Sequence, residues 1–90
     1  MYEITATNGE SLMKVTVSFT TPNVNYARSY YHLLRKAFRS VNLINDETGE
    51  VLMSIYTASE FFFPQATISE VLFELERLRI DFEGFQERGE

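Results

Sequence analysis

The 90 residues read as an α+β domain of order ββαββα, with a four-stranded antiparallel sheet and two helices packed on one face. Three observations lead there. Two stretches alternate apolar and polar residues, and each contains a glycine-bearing turn signal midway. Each is followed by a stretch whose apolar residues recur every three to four positions. Consecutive hairpins also favour neighbouring strands, which joins the four strands into one sheet.

In the first strand Tyr2, Ile4 and Ala6 alternate with Glu3, Thr5 and Thr7. Asn8-Gly9 follows, the dipeptide best suited to the positive φ angles of a tight hairpin turn. Met13, Val15, Val17 and Phe19 then alternate with Lys14, Thr16, Ser18 and Thr20, so the outer face of this hairpin is rich in Thr and Ser. Thr21-Pro22 ends the strand, and it predicts a helix with Thr21 as N-cap and Pro22 at the first helical position. From about Val24 to Ser40, Tyr26, Tyr30, Leu33, Leu34, Ala37 and Val41 follow the helical period, with Tyr31 and Phe38 widening the stripe. Arg28, His32, Arg35 and Arg39 fall on the opposite side with Lys36 at its edge, and Arg39 is placed to complement the dipole at the helix C-terminus.

Asn42 to Asn45 predicts a short strand, and Asp46 to Gly49 a loop whose glycine takes the left-handed conformation of a bulged turn. Val51, Met53 and Ile55 alternate only weakly with Leu52, Ser54 and Tyr56, which predicts a strand covered on both faces. Thr57 to Ala66, with Phe61-Phe62-Phe63-Pro64, is either an edge extension or a packed loop. Thr67-Ile68-Ser69-Glu70 matches a capping box opening a helix with Ile68, Val71, Leu72, Leu75, Leu78 and Phe82 on one face. Gly84 is the expected stop, leaving residues 85–90 as a flexible tail of a single domain spanning 1–90. The pattern leaves open whether the hairpins meet through their first or their second strands.

A hydrophobic content of 44% with 23% charged residues is that of a globular domain and not of a disordered chain. The absence of cysteine removes disulfides, thiolate metal sites and thiol nucleophiles, and it fits a reducing cytoplasm, the expected location. Met-Tyr-Glu-Ile-Thr-Ala-Thr has no basic n-region and no long apolar run, so no secretory signal is read. No stretch approaches the roughly 20 apolar residues of a membrane span, so no membrane partner is expected.

Charge is the one property of this sequence that bears on function. The net charge is −5, yet no carboxylate side chain lies between Glu10 and Asp46, where Lys14, Arg28, Arg35, Lys36 and Arg39 all fall. From Asp46 onward eleven acidic residues face three arginines, so the surface is polarised.

Residues for catalysis are sparse. The single histidine, His32, has Arg28, Ser29, Arg35 and Lys36 as its helical neighbours, and three cations beside it repel a metal. Glu70, Glu74 and Asp81 lie opposite the apolar stripe as a solvated face, without the cleft that acid–base work needs. No G-x-S-x-G context occurs, and Gly9, Gly49, Gly84 and Gly89 are too scattered to cradle phosphate. The sequence therefore predicts no enzyme, no catalytic or metal-ligating set, no cofactor and no small-molecule substrate.

Two surfaces remain. One is the basic face, Arg28, His32, Arg35, Lys36 and Arg39, which is either a plain solvated helix face or a surface suited to an anion or an acidic partner. The other is apolar. Phe73 and Ile80 share a side of the second helix roughly 120–140° from its stripe at 100° per residue, and Phe61, Phe62 and Phe63 form a run whose rings alternate in an extended chain. Either Phe73 tucks beneath the Phe61–Phe63 loop, or these five residues make an interface. The leading expectation is a regulatory module that binds another protein or a second copy of itself as a homodimer. The alternative is nucleic-acid or polyanion binding through the basic helix face. An acidic inhibitor that mimics a polyanion comes third, and an enzyme completed across an oligomer interface comes last.

Overall fold

The computed structural model of the chain describes residues 1–8 and 15–88, with side chains as far as residue 80. Its elements are β1 (Tyr2–Asn8), β2 (Val15–Thr21), α1 (Val24–Leu34), β3 (Ser40–Asn45), β4 (Glu50–Tyr56), a short 3-10 turn (Ser59–Phe61) and α2 (Ile68–Arg88). The four strands form one antiparallel sheet in the order β2-β1-β3-β4, so the hairpins meet through their first strands.

The register explains which face is buried. Ile4 pairs with Phe19 on one side and Leu43 on the other; Ala6 pairs with Val17 and Val41. These side chains share one face of the sheet because strand residues two apart point the same way. Ile4, Ala6, Val41 and Leu43 are fully buried there, beneath Ala27, Tyr30, Tyr31 and Leu34 of α1 and Ala37 and Phe38 of the following turn. Val71 and Leu75 of α2 join the same core, with Ile68, Leu72 and Leu78 packed at its margin. Both helices thus share one face of the sheet: α1 rests against β1, β2 and β3, and α2 rests against α1. The opposite face carries Thr5, Thr7, Thr16, Ser18, Thr20, Asn42 and Ser54, the Thr/Ser-rich surface expected from the alternation.

Several boundaries differ from those the sequence suggested, each for a physical reason. Asn8 pairs with Val15, and the Asn8-Gly9 turn, with Met13 and Lys14, runs into residues 9–14, outside the described residues. Thr21 is not the N-cap of α1. It still pairs with Tyr2 in the sheet, and its Oγ1 accepts the Asn23 amide at 3.3 Å. Asn23 caps the helix instead, its Oδ1 accepting the amides of Asn25 at 2.8 Å and Tyr26 at 3.2 Å. At the other end α1 stops at Leu34 and not near Ser40. The chain tightens through Lys36 N–H to Leu33 O and Ala37 N–H to Leu34 O, both 3.1 Å. The next residues then enter the sheet: Ser40 pairs with Thr7 on one side and Tyr56 on the other. Arg39 therefore precedes a strand and complements no helix end.

The weak alternation of β4 comes from a bulge and not from burial on both faces. Leu43 pairs with Met53 but Ile44 with Val51, so Leu52 is the extra residue and the pattern shifts there. Val51, Leu52 and Tyr56 are exposed on this edge strand. Gly49 has φ +75°, as the bulged turn requires, and its amide donates to Asn45 O at 2.7 Å. The capping box before α2 is half formed. Thr67 Oγ1 accepts the Glu70 amide at 3.1 Å, but among the described residues no hydrogen bond returns from the Glu70 carboxylate. α2 does not stop at Gly84 but continues to Arg88, since one glycine inside a helix costs only about 1 kcal/mol.

Candidate functional site

The connection between β4 and α2 is stitched to the turn after α1 by backbone hydrogen bonds. Gln65 and Ala66 N–H both donate to Lys36 O, at 2.8 and 3.3 Å, and Thr57 N–H donates to Arg39 O at 2.8 Å. Asn8 Nδ2 donates to Ala37 O at 3.1 Å and fixes the same turn to β1. These bonds use carbonyls of the turn, so its charged side chains stay outward. They also bring the phenylalanine run alongside the basic residues.

A furrow results, made of three open concavities that share residues. The middle one, about 270 Å³, is lined by His32, Arg35, Lys36 and Gln65. Arg35 and Gln65 continue into the next, about 240 Å³, where Arg39 meets Phe61, Phe62 and Phe63 over Phe38 and Ile55. Lys36 leads the other way into a space of about 370 Å³, bounded by Leu33, Ala66 and Val71 and by Glu70, Phe73 and Glu74 of α2. The furrow thus has a cationic middle, an aromatic and cationic end, and an end where two carboxylates and a phenyl ring stand opposite Lys36.

The ring geometry within it is specific. The Arg35 guanidinium lies 5.7 Å from the centre of the Tyr31 ring, within cation–π range. The rings of Tyr31 and His32 stand nearly perpendicular, their centres 5.4 Å apart. Tyr31 is itself buried, so it holds Arg35 and His32 from below while their polar ends face solvent. Among the described residues, Arg28, His32, Arg35 and Lys36 form no salt bridge with a carboxylate. The charges of Arg35 and Lys36 therefore face solvent along the furrow.

No family model, curated protein or solved structure matches this chain. The site therefore rests on its own chemistry. Four cationic or ionisable donors beside aromatic rings suit carboxylates or phosphates, with arginine able to engage either in a bidentate fork. Nothing lining the middle concavity is a carboxylate that would orient His32 or exchange a proton with it. Among the described residues no group of three or more His, Cys, Asp or Glu side chains converges, and no helix is long and apolar enough to cross a membrane.

The residues singled out in the sequence are distributed as follows. His32, Arg35, Lys36 and Arg39 meet in the furrow, but as a helix end, a turn and a strand approach and not as one helix face. Arg28 is exposed one turn earlier on α1 and lines none of the three concavities. Phe61 and Phe63 are 70% and 81% exposed, with Phe62 half-buried between them. Phe73 is 64% exposed and forms a wall at the α2 end, so it does not tuck beneath the phenylalanine loop. Ile80, 55% exposed, continues the same side of α2 beyond the furrow. Sequence reasoning missed Gln65, Thr57 and the Glu70–Glu74 pair as furrow residues. No local signal marks them, because their place depends on hydrogen bonds between distant segments.

Proposed function

We propose that this chain is a non-enzymatic protein-binding module that holds an acidic polypeptide segment with apolar anchors in the furrow. The observation that carries this is the meeting of His32, Arg35, Lys36 and Arg39 with the exposed rings of Phe61 and Phe63. Burying a phenylalanine is worth roughly 1.5–3 kcal/mol, so two exposed rings beside a cationic groove are an unsatisfied apolar surface with a charge preference attached. Phe73 and Ile80 extend that surface along α2. Glu70 and Glu74 close one end against a continuous polyanion but accept a segment whose charge is mixed.

The test is capture on immobilised chain from a nuclease-treated lysate, with Arg35→Glu plus Lys36→Glu in parallel. A protein retained by the parent and lost from the variant supports the furrow. Equal retention by both removes the furrow as the site.

A second reading has its own observation. Arginines and exposed aromatic rings side by side also suit single-stranded nucleic acid, with bases stacked on Phe61 and Phe63 and phosphates on Arg35 and Arg39. Nuclease separates the two. Phosphates and an acidic segment held by the same cations both weaken as salt rises, but only nucleic acid is destroyed by nuclease. Retention from an untreated lysate that vanishes with nuclease would favour nucleic acid.

A further inference from the structure

The two edges of the sheet are not alike. β4 begins with Glu50, follows the acidic Asp46-Glu47 turn and carries the bulge at Leu52, all features that discourage a further strand from pairing there. β2, Val-Thr-Val-Ser-Phe-Thr-Thr, has none of them. It has no charge, no proline and no glycine, and it pairs with β1 without a shift over all seven residues. Among the described residues, no backbone group from Val15 to Thr20 bonds to anything beyond β1. Alternate residues of such a strand turn their N–H and C=O groups outward, unpaired.

The side chains of β2 are also incompletely covered. Val17 and Phe19 face the core yet remain partly exposed, and Val15 is 44% exposed on the same face. Among the described residues, nothing covers the apolar layer where it reaches this edge.

We propose that β2 is a seam at which two copies of this chain join edge to edge, antiparallel, into one continuous eight-stranded sheet. With the two-fold axis at Ser18, the midpoint of the strand, all seven residues find partners. Val17 lies opposite Phe19 of the second copy, and Thr16 lies opposite its Thr20. On the core face Val17 and Phe19 meet each other, Val15 at each end meets Thr21, and hydroxyls meet hydroxyls on the open face. Pro22, which could not donate to the ladder, falls outside the paired segment. Electrostatics also favours this edge. Each copy carries a net charge of −5 and repels its twin over most approaches, but β2 contributes no charge to the contact. The seam is distinct from the Phe73–Ile80 side of α2 and independent of what the furrow binds.

The sequence contains no cysteine, so a single one introduced into the full chain reports cleanly. Across the axis the two residues 18 sit about 4.5–5.5 Å apart at Cα, within the reach of a disulfide. Two residues 20 lie four positions apart along the seam, more than about 13 Å. Under mild oxidation Ser18→Cys is expected to form a covalent dimer and Thr20→Cys to remain monomeric. By light scattering the parent chain should show twice the chain mass at raised concentration. Ser18→Lys, which sets two ammonium groups face to face, should halve that mass while its circular dichroism is unchanged. A parent chain that stays monomeric, with no cross-linking at residue 18, overturns the seam; so does cross-linking at residue 20 as fast as at 18. An extended peptide from another protein as the true occupant would give that same monomeric outcome.

Discussion

A single amide side chain decides where α1 begins. Asn23 accepts two backbone amides that would otherwise have no partner inside the helix. Asn23→Ala is therefore expected to lower stability by about 0.5–2 kcal/mol in denaturant unfolding, and Asn23→Ser by much less. Thr21 and Asn23 are both good capping residues, and nothing local distinguishes them. The choice depends on how far β2 stays paired to β1, a contact between segments some 20 residues apart in sequence. At the surface of α2, a hydrogen bond from Arg79 holds the Glu76 carboxyl below its ordinary value of 4.5. A carboxyl depressed in the folded state stabilises the fold above its unfolded pKa, and that contribution disappears as pH falls through the folded value. Both groups are exposed, so the contribution to stability is small. The readout is the titration midpoint: Arg79→Gln should raise the Glu76 midpoint in carboxyl NMR, and an unchanged midpoint would mean the pair does not persist in solution.

Helix α2 presents two apolar sets that behave differently. Leu75 is buried in the core and Phe73, two residues away, is exposed. Leu75→Ala is expected to cost about 2–5 kcal/mol, a large share of the roughly 5–15 kcal/mol of a typical domain. Phe73→Ser with Ile80→Ser should shift stability little, about 0.5 kcal/mol per site, while reducing capture of any partner that uses this surface. Parallel melting curves and binding assays separate the two sets. The helical period identified the stripe of α2 from Ile68 to Leu78 correctly because no competing pattern overlaps it, while the side chain of Phe82 lies outside the described residues. In α1 the period ran too far. Val41 fits both the 3.6-residue repeat from Tyr30 and the two-residue repeat with Leu43, and only pairing with Ala6 decides for the strand. In β4 one bulged residue was enough to make a half-exposed strand resemble one buried on both sides.

Taken as a whole, the sheet should protect its amides unevenly. β1 and β3 are paired on both sides, while β2 and β4 have one free edge each. Hydrogen exchange should therefore be slowest in β1 and β3. If copies join along β2, its protection should rise with protein concentration while that of β4 stays constant. The ββαββα order was legible because each stretch declares its own period. The strand order was not, since either pair of strands can meet without changing a single alternation. The furrow was legible in halves. The acid-free stretch marked the cations and the run Phe61-Phe62-Phe63 marked the rings. What joins them is the pair of carbonyls at Lys36 and Arg39, and a carbonyl has no signature in a sequence.

Those carbonyls also divide labour within single residues. Lys36 and Arg39 hold the fold together with atoms common to every amino acid and face the furrow with atoms peculiar to lysine and arginine. Replacing the side chains leaves the stitching in place. The chemistry of the furrow can consequently drift, or be redesigned by mutating residues 32, 35, 36, 39, 61 and 63, without rebuilding the scaffold. A surface made this way can change allegiance faster than the molecule changes shape.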